Sequence, residues 1–143
     1  MKYLGLDLGT RTLGVAISDS TRTIASTYGT IRFDDEDYEK ALLELSSIID
    51  MERPSKIILG FPKNMNNTIG PRAEATLSFR DMLTSKFDIE VVMQDERLST
   101  KEASAYMIEA DMSRKKRKKK IDSLAATIIL QTYLDKERND GNG

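Results

Sequence analysis

At 143 residues, 39% hydrophobic and 31% charged, the chain has the size and balance of one compact domain with a core of its own. It holds no cysteine and no histidine, which excludes disulfides, thiolate zinc sites, cysteine nucleophiles, Ser-His-Asp triads and any imidazole base. Catalysis, if the chain has any, then runs on carboxylates, and any metal sits on oxygen ligands, which favours Mg²⁺ or Mn²⁺.

Met1-Lys2 leads directly into a strand rather than a signal peptide, and no apolar run approaches the roughly 18 residues that span a bilayer, so the expected location is the cytoplasm, with no membrane partner. Lys2 to Leu8 alternates Tyr3, Gly5 and Asp7 against Leu4, Leu6 and Leu8, the period of a strand. Gly9 and Gly14 bracket a short connection to a second strand, Gly14 to Ser18, which predicts a hairpin. Thr23 to Phe33, rich in β-branched and aromatic residues, is a third strand. The period then changes. Tyr38, Ala41, Leu42, Leu45, Ile48 and Ile49 fall at helical spacing, behind the acidic run 34–37, so a helix is predicted from Tyr38 to Met51 and ended by Pro54.

Lys56 to Gly60 is a short buried strand, followed by a loop from Phe61 to Gly70. Pro71 suits the first turn of a helix running to about Lys86. Ile89 to Met93 makes a fifth strand, with Asp95-Glu96-Arg97 at its C-terminal end. Ser99 or Thr100 can cap a helix beginning KEASAYMIEA. A basic run then precedes a last helix from Ile121 to about Lys136, and residues 139–143 read as a disordered tail. The order predicts a ribonuclease H-like α/β fold over residues 1–138. Its mixed five-stranded sheet has three antiparallel meander strands, then two parallel ones, with helices on both faces. Ligands are expected beyond the carboxyl ends of the parallel strands.

Three acids converge on that edge. Asp7 closes the first strand, where a turn-forming aspartate ahead of Gly9 is the plainer explanation. Asp95 and Glu96 alternate in direction, so only one can meet Asp7, and an ion pair with Arg97 is the plainer role for either. The more polar strand face, Glu90, Val92 and Gln94, leads to Glu96. Asp122 opens the last helix and shares a face with Ala125, Ala126, Ile129 and Tyr133, although an acid there also complements the helix dipole. Taken together, Asp7, Glu96 and Asp122 crowd like charges that a divalent cation would neutralise, as in two-metal phosphodiester hydrolysis.

Arg114, Lys115, Lys116, Arg117, Lys118, Lys119 and Lys120 form an unbroken run of cations beside Asp122. Without those seven, 15 basic residues face 23 acidic ones, a net of −8. The chain is acidic nearly everywhere else, so this strip points to a polyanion, with contacts to the backbone rather than the bases. A solvated segment or an import signal is the competing explanation. The 60–74 loop adds Lys63 and several side-chain amides where a substrate can lie, although turn residues linking strand to helix explain it equally.

DLGTRTLGVAISD, GFPKNMNNTIGPRAE, DERLST and KKIDSLAATIIL stand in an order and spacing that resembles the YqgF/RuvX family, from Tyr3 to Leu134. Its members are described as Holliday junction resolvases and as nucleases maturing the 5′ end of pre-16S ribosomal RNA. The resemblance implies a divalent-metal nuclease, with the family's three acids on Asp7, Glu96 and Asp122 and its turn arginine on Arg11. The expected substrate is pre-16S rRNA, with branched DNA or non-catalytic nucleic-acid binding as alternatives; monomer and homodimer are both open.

Overall fold

The hairpin that starts the chain is closed by a single short turn. The Gly9 amide donates to the Thr12 carbonyl at 2.7 Å, joining β1 (Tyr3–Leu8) to β2 (Thr12–Ser18) in antiparallel register, Asp7 opposite Gly14. β2 therefore begins two residues before the predicted Gly14. The glycine is no boundary, because it sits within the ladder. The computed structural model describes residues 2–35, 37–61, 71–95 and 114–141.

β3 (Ala25–Arg32) continues the meander antiparallel to β2, with the register slipping between Val15 and Ala16, whose partners are Gly29 and Thr27. α1 (Tyr38–Glu52) follows. Asp37 caps it by accepting from the Lys40 amide at 3.3 Å. At its other end Arg53 turns left-handed, with φ of 49°, and donates its amide to the Ile49 carbonyl, and Pro54 then prevents any further turn. β4 (Lys56–Phe61) pairs parallel to β1, α2 (Pro71–Lys86) covers it, and β5 (Glu90–Asp95) pairs parallel to β4. The sheet order is β3-β2-β1-β4-β5. This is the predicted mixed sheet, with β1 at its centre. The helix read in KEASAYMIEA lies outside the described residues.

The last helix differs from its prediction. α3 runs from Arg114 to Gly141, 28 residues, rather than from Ile121 to about Lys136. Apolar periodicity begins only at Ile121, but lysine and arginine are strong helix formers, so a helix anchored downstream propagates back through them. The basic run is thus the first two turns of α3 rather than its approach. Asp122 becomes the ninth helical residue, beyond the first turn in which a helix dipole is felt, so dipole complementation no longer explains it. At the other end, residues 139–141 continue the helix.

The helices divide between the two faces. α1 and α2 bury Leu42, Leu45, Ile49, Phe79 and Leu83 against Leu4, Leu6, Leu13, Val15, Ile57 and Leu59. Among the described residues only α3 covers the reverse face, packing Ala126, Ile129, Leu130 and Leu134 on Tyr3, Ala16 and Ile58. No helix among the described residues is long and apolar enough to cross a membrane.

Candidate active site

The sheet's pleat decides which residues meet α3. Tyr3, Gly5 and Asp7 share one face of β1, and the ladder sets Tyr3 beside Lys56 and Gly5 beside Ile58 on β4. Asp7, partly buried, comes one residue after the Leu6–Leu59 pair, level with Gly60, which in turn pairs with Gln94 on β5. The C-terminal edge of the α3 face therefore reads Asp7, Gly60, Gln94. Asp95 pairs with Phe61 and has the opposite pleat parity, that of Val91 and Met93.

Arg11 is exposed in the β1–β2 turn at this same edge, its carbonyl accepting from the Phe33 amide at 3.0 Å. Asp122 and Arg114 to Lys120 lie on the N-terminal half of α3. Glu96 and Lys63 are outside the described residues. Asp7 is the one candidate acid whose side chain is described, and no three acids gather as a ligand set among the described residues.

Of what holds α3 to the sheet, the sequence marks Ala125 and Ala126 as small residues that allow a close approach, but not the strand residue they meet or the polar contacts along the helix. At mid-strand, a Cβ placed on Gly5 would lie 2.7 Å from the Leu130 Cβ and 2.9 Å from the Ala126 carbonyl oxygen. Toward β3, the Gln131 side chain accepts from the Ala25 amide at 2.8 Å and donates to the Thr23 carbonyl at 3.0 Å. At the N-terminal edge of β1 and β4 a polar latch closes on the helix. Lys56 Nζ donates to the Tyr133 hydroxyl at 2.9 Å and to Glu137 Oε2 at 3.0 Å, and the Tyr3 hydroxyl donates to Glu137 Oε1 at 2.9 Å.

The Lys56 ammonium also lies over the rings of Tyr3 and Tyr133, 5.0 and 5.2 Å from their centroids. Burial disfavours the charge on Lys56, but its bonds to Tyr133 and Glu137 outweigh that and raise its pKa. Burial likewise works against the Glu137 carboxylate, and the bonds from Lys56 and Tyr3 outweigh it and hold its pKa below the ordinary value. A glycine inside a buried strand was the available signal for the close contact. Nothing local marks Lys56 and Glu137 as partners.

A mixed sheet in this order, with an acid at the end of its central strand and one helix laid across that row, defines the ribonuclease H-like class. The solved structure of Thermus thermophilus RuvC in complex with a Holliday junction substrate superposes with a TM-score of 0.64 at 13% identity, covering 97% of this chain and 96% of that one. The fowlpox virus resolvase in complex with Holliday junction DNA gives 0.60 at 14%, covering 95% and 98%.

A family model described as RuvX, Holliday junction resolvase, matches residues 1–136. A protein of Geobacillus sp. (strain WCH70) is 52% identical over 138 residues, 96% of this chain and 100% of that protein. One of Bacillus subtilis (strain 168) is 50% identical over 135 residues, 94% and 98%. Both bear the name "Putative pre-16S rRNA nuclease". The chain belongs to the RuvX family, and with it to the phosphodiester hydrolases.

Proposed function

We propose that this chain matures the 5′ end of pre-16S rRNA in the cytoplasm, as one domain spanning residues 1–138, with Asp7, Glu96 and Asp122 holding Mg²⁺ or Mn²⁺. The observation that carries the reading is the direction of α3 along β1. Tyr3 touches Glu137, and Gly5 touches Leu130 and Ala126. Strand and helix therefore run antiparallel. Going on from Gly5 to Asp7 advances about 6.6 Å along the strand, and going back from Ala126 to Asp122 advances about 6 Å along the helix. The two acids come level at the same edge. The alternation of the sequence, in which Glu90, Val92 and Gln94 make the more polar face, favours Glu96 over Asp95 as the third.

An all-carboxylate donor set in a chain without histidine or cysteine suits a hard divalent cation. When bound, such an ion supplies activation of water and stabilisation of the leaving oxygen. The protein's part is to hold the acids in fixed geometry and to bring phosphates to them. Arg11 stands at the same edge, Arg114 to Lys120 precede Asp122 on α3, and Lys63 follows β4 in the sequence. They are the cations proposed to neutralise the substrate's phosphate backbone. The description of the matching family favours a second reading, resolution of branched DNA.

Cleavage of a pre-16S rRNA fragment and of a four-way DNA junction, each with Mg²⁺ or Mn²⁺, separates these readings. Asp7→Asn, Glu96→Gln and Asp122→Asn should each abolish metal-dependent cleavage in a folded protein. An active Glu96→Gln with a dead Asp95→Asn would move the third ligand to Asp95. Replacing four cations within 114–120 by glutamine should weaken binding alike for every sequence. It should also flatten the slope of log K against log salt by roughly 0.7–0.9 for each phosphate left unneutralised.

A further inference from the structure

We infer that Gly5 is a positioning residue for the acid site: the space left by its missing side chain lets α3 seat close enough to bring Asp122 to Asp7. The inference rests on the metal reading above and adds to it what sets the distance between the ligands. Gly5 lies in regular ladder, opposite Ala16 on one side and Ile58 on the other, and no unusual backbone angle calls for glycine there. Glycine weakens a strand interior. What the position does require is space.

The atoms that a Cβ would meet at 2.7 and 2.9 Å are the root of the Leu130 side chain and a backbone oxygen of Ala126. Neither can rotate away, so the whole helix has to yield. Carbon contacts relax at about 3.5–4.0 Å, which asks for a displacement of roughly 1 Å. The displacement cannot be uniform, because the latch of Tyr3, Lys56, Tyr133 and Glu137 holds the far end of α3. The helix pivots there instead. Glu137 to Ala126 spans about 16 Å of helix and Glu137 to Asp122 about 22 Å, so the shift grows toward the acid. Metal sites tolerate departures of only about 0.2 Å in ligand distance.

The test is Mn²⁺ titration by calorimetry on the full-length chain, with circular dichroism to establish folding. Gly5→Ala should remain folded and lose affinity by roughly 10- to 100-fold, the range for residues that support metal ligands from behind. Raised Mn²⁺ should restore its cleavage. Leu134→Ala loosens the same face without wedging it, since Leu134 is buried in the α3 seam beyond Leu130, and should keep its affinity within twofold. If Gly5→Ala does not fold, Ala126→Ser puts a smaller wedge in the same seam and should show a smaller loss.

A folded wedge variant that binds Mn²⁺ as the wild type does overturns the inference and leaves the metal reading standing. So does an equal loss in Leu134→Ala. A wild-type chain that takes up no Mn²⁺, or an Asp7→Asn variant that binds it equally well, overturns both.

Discussion

One sheet is covered in two different ways. Against α1 and α2 it presents Leu4, Leu6, Leu13 and Leu59, and the helices answer with Leu45 and Phe79, both fully buried. Against α3 it presents Tyr3 and Ile58 but also Gly5 and Ala16, where the helix answers with Ala126 and the root of Leu130. The first interface is thick and made of side chains, which can repack when one is changed. At Gly5 the second brings backbone close to backbone, where little can adjust. The first face supplies stability in bulk. The second supplies position, and both proposed end-of-row acids, Asp7 and Asp122, belong to it.

The contrast is broken most directly on the thick face. Phe79 is completely buried between α2 and the sheet and stacks edge-on with Tyr38, centroids 6.1 Å apart. Phe79→Ala should cost about 3–5 kcal/mol, the range for truncating a buried aromatic, measured by urea unfolding. Mn²⁺ affinity of the folded protein should be unchanged, since neither α3 nor β1 is wedged. Weakened metal binding in this variant would mean that the faces are coupled and that no division of labour exists.

The same contrast explains what the sequence disclosed. The thick face was legible: leucines alternate along β1, and Ala41, Leu42, Leu45 and Ile49 recur at helical spacing in α1, because burying bulk leaves a periodic trace. Asp7 was legible too, as the polar residue ending an alternating strand. The thin face left much less. Gly5 reads as a strand weakness until the helix is laid against it. Tyr3 and Glu137 form a bond across 134 positions, and lysine and glutamate are the residues most expected to be solvated. The start of α3 was misjudged because a run of lysines has helical propensity but no apolar period. The proposed meeting of Asp7 and Asp122 depends on that same long-range seating.

The smallest effect should come from the latch, which pins the end of α3 farthest from the proposed site. Lys56→Met removes the ammonium that Glu137 and Tyr133 share, while the Tyr3 and Tyr133 hydroxyls still reach the carboxylate. The lysine is mostly buried, but Glu137 keeps 36% of its side-chain exposure, so solvent screens the pair. A loss of about 1–2 kcal/mol at neutral pH is expected, at and below the low end for a charge-assisted bond because of that screening.

The pH dependence has two limbs. Glu137 is held below its ordinary value, so its contribution is complete above the unfolded pKa of about 4.3 and disappears as pH falls through the lower folded value. Lys56 is raised, so its contribution is complete below about 10.4 and disappears only as pH rises through the higher folded value. The stability gap between wild type and Lys56→Met, read by urea unfolding, should therefore be flat across neutral pH and close below pH 4. Affinity for Mn²⁺ should fall less than in Gly5→Ala, because a loosened pivot frees the helix end while the seam at Gly5 still seats Ala126. A larger loss than Gly5→Ala would make the latch, rather than the close contact, what sets the position of Asp122.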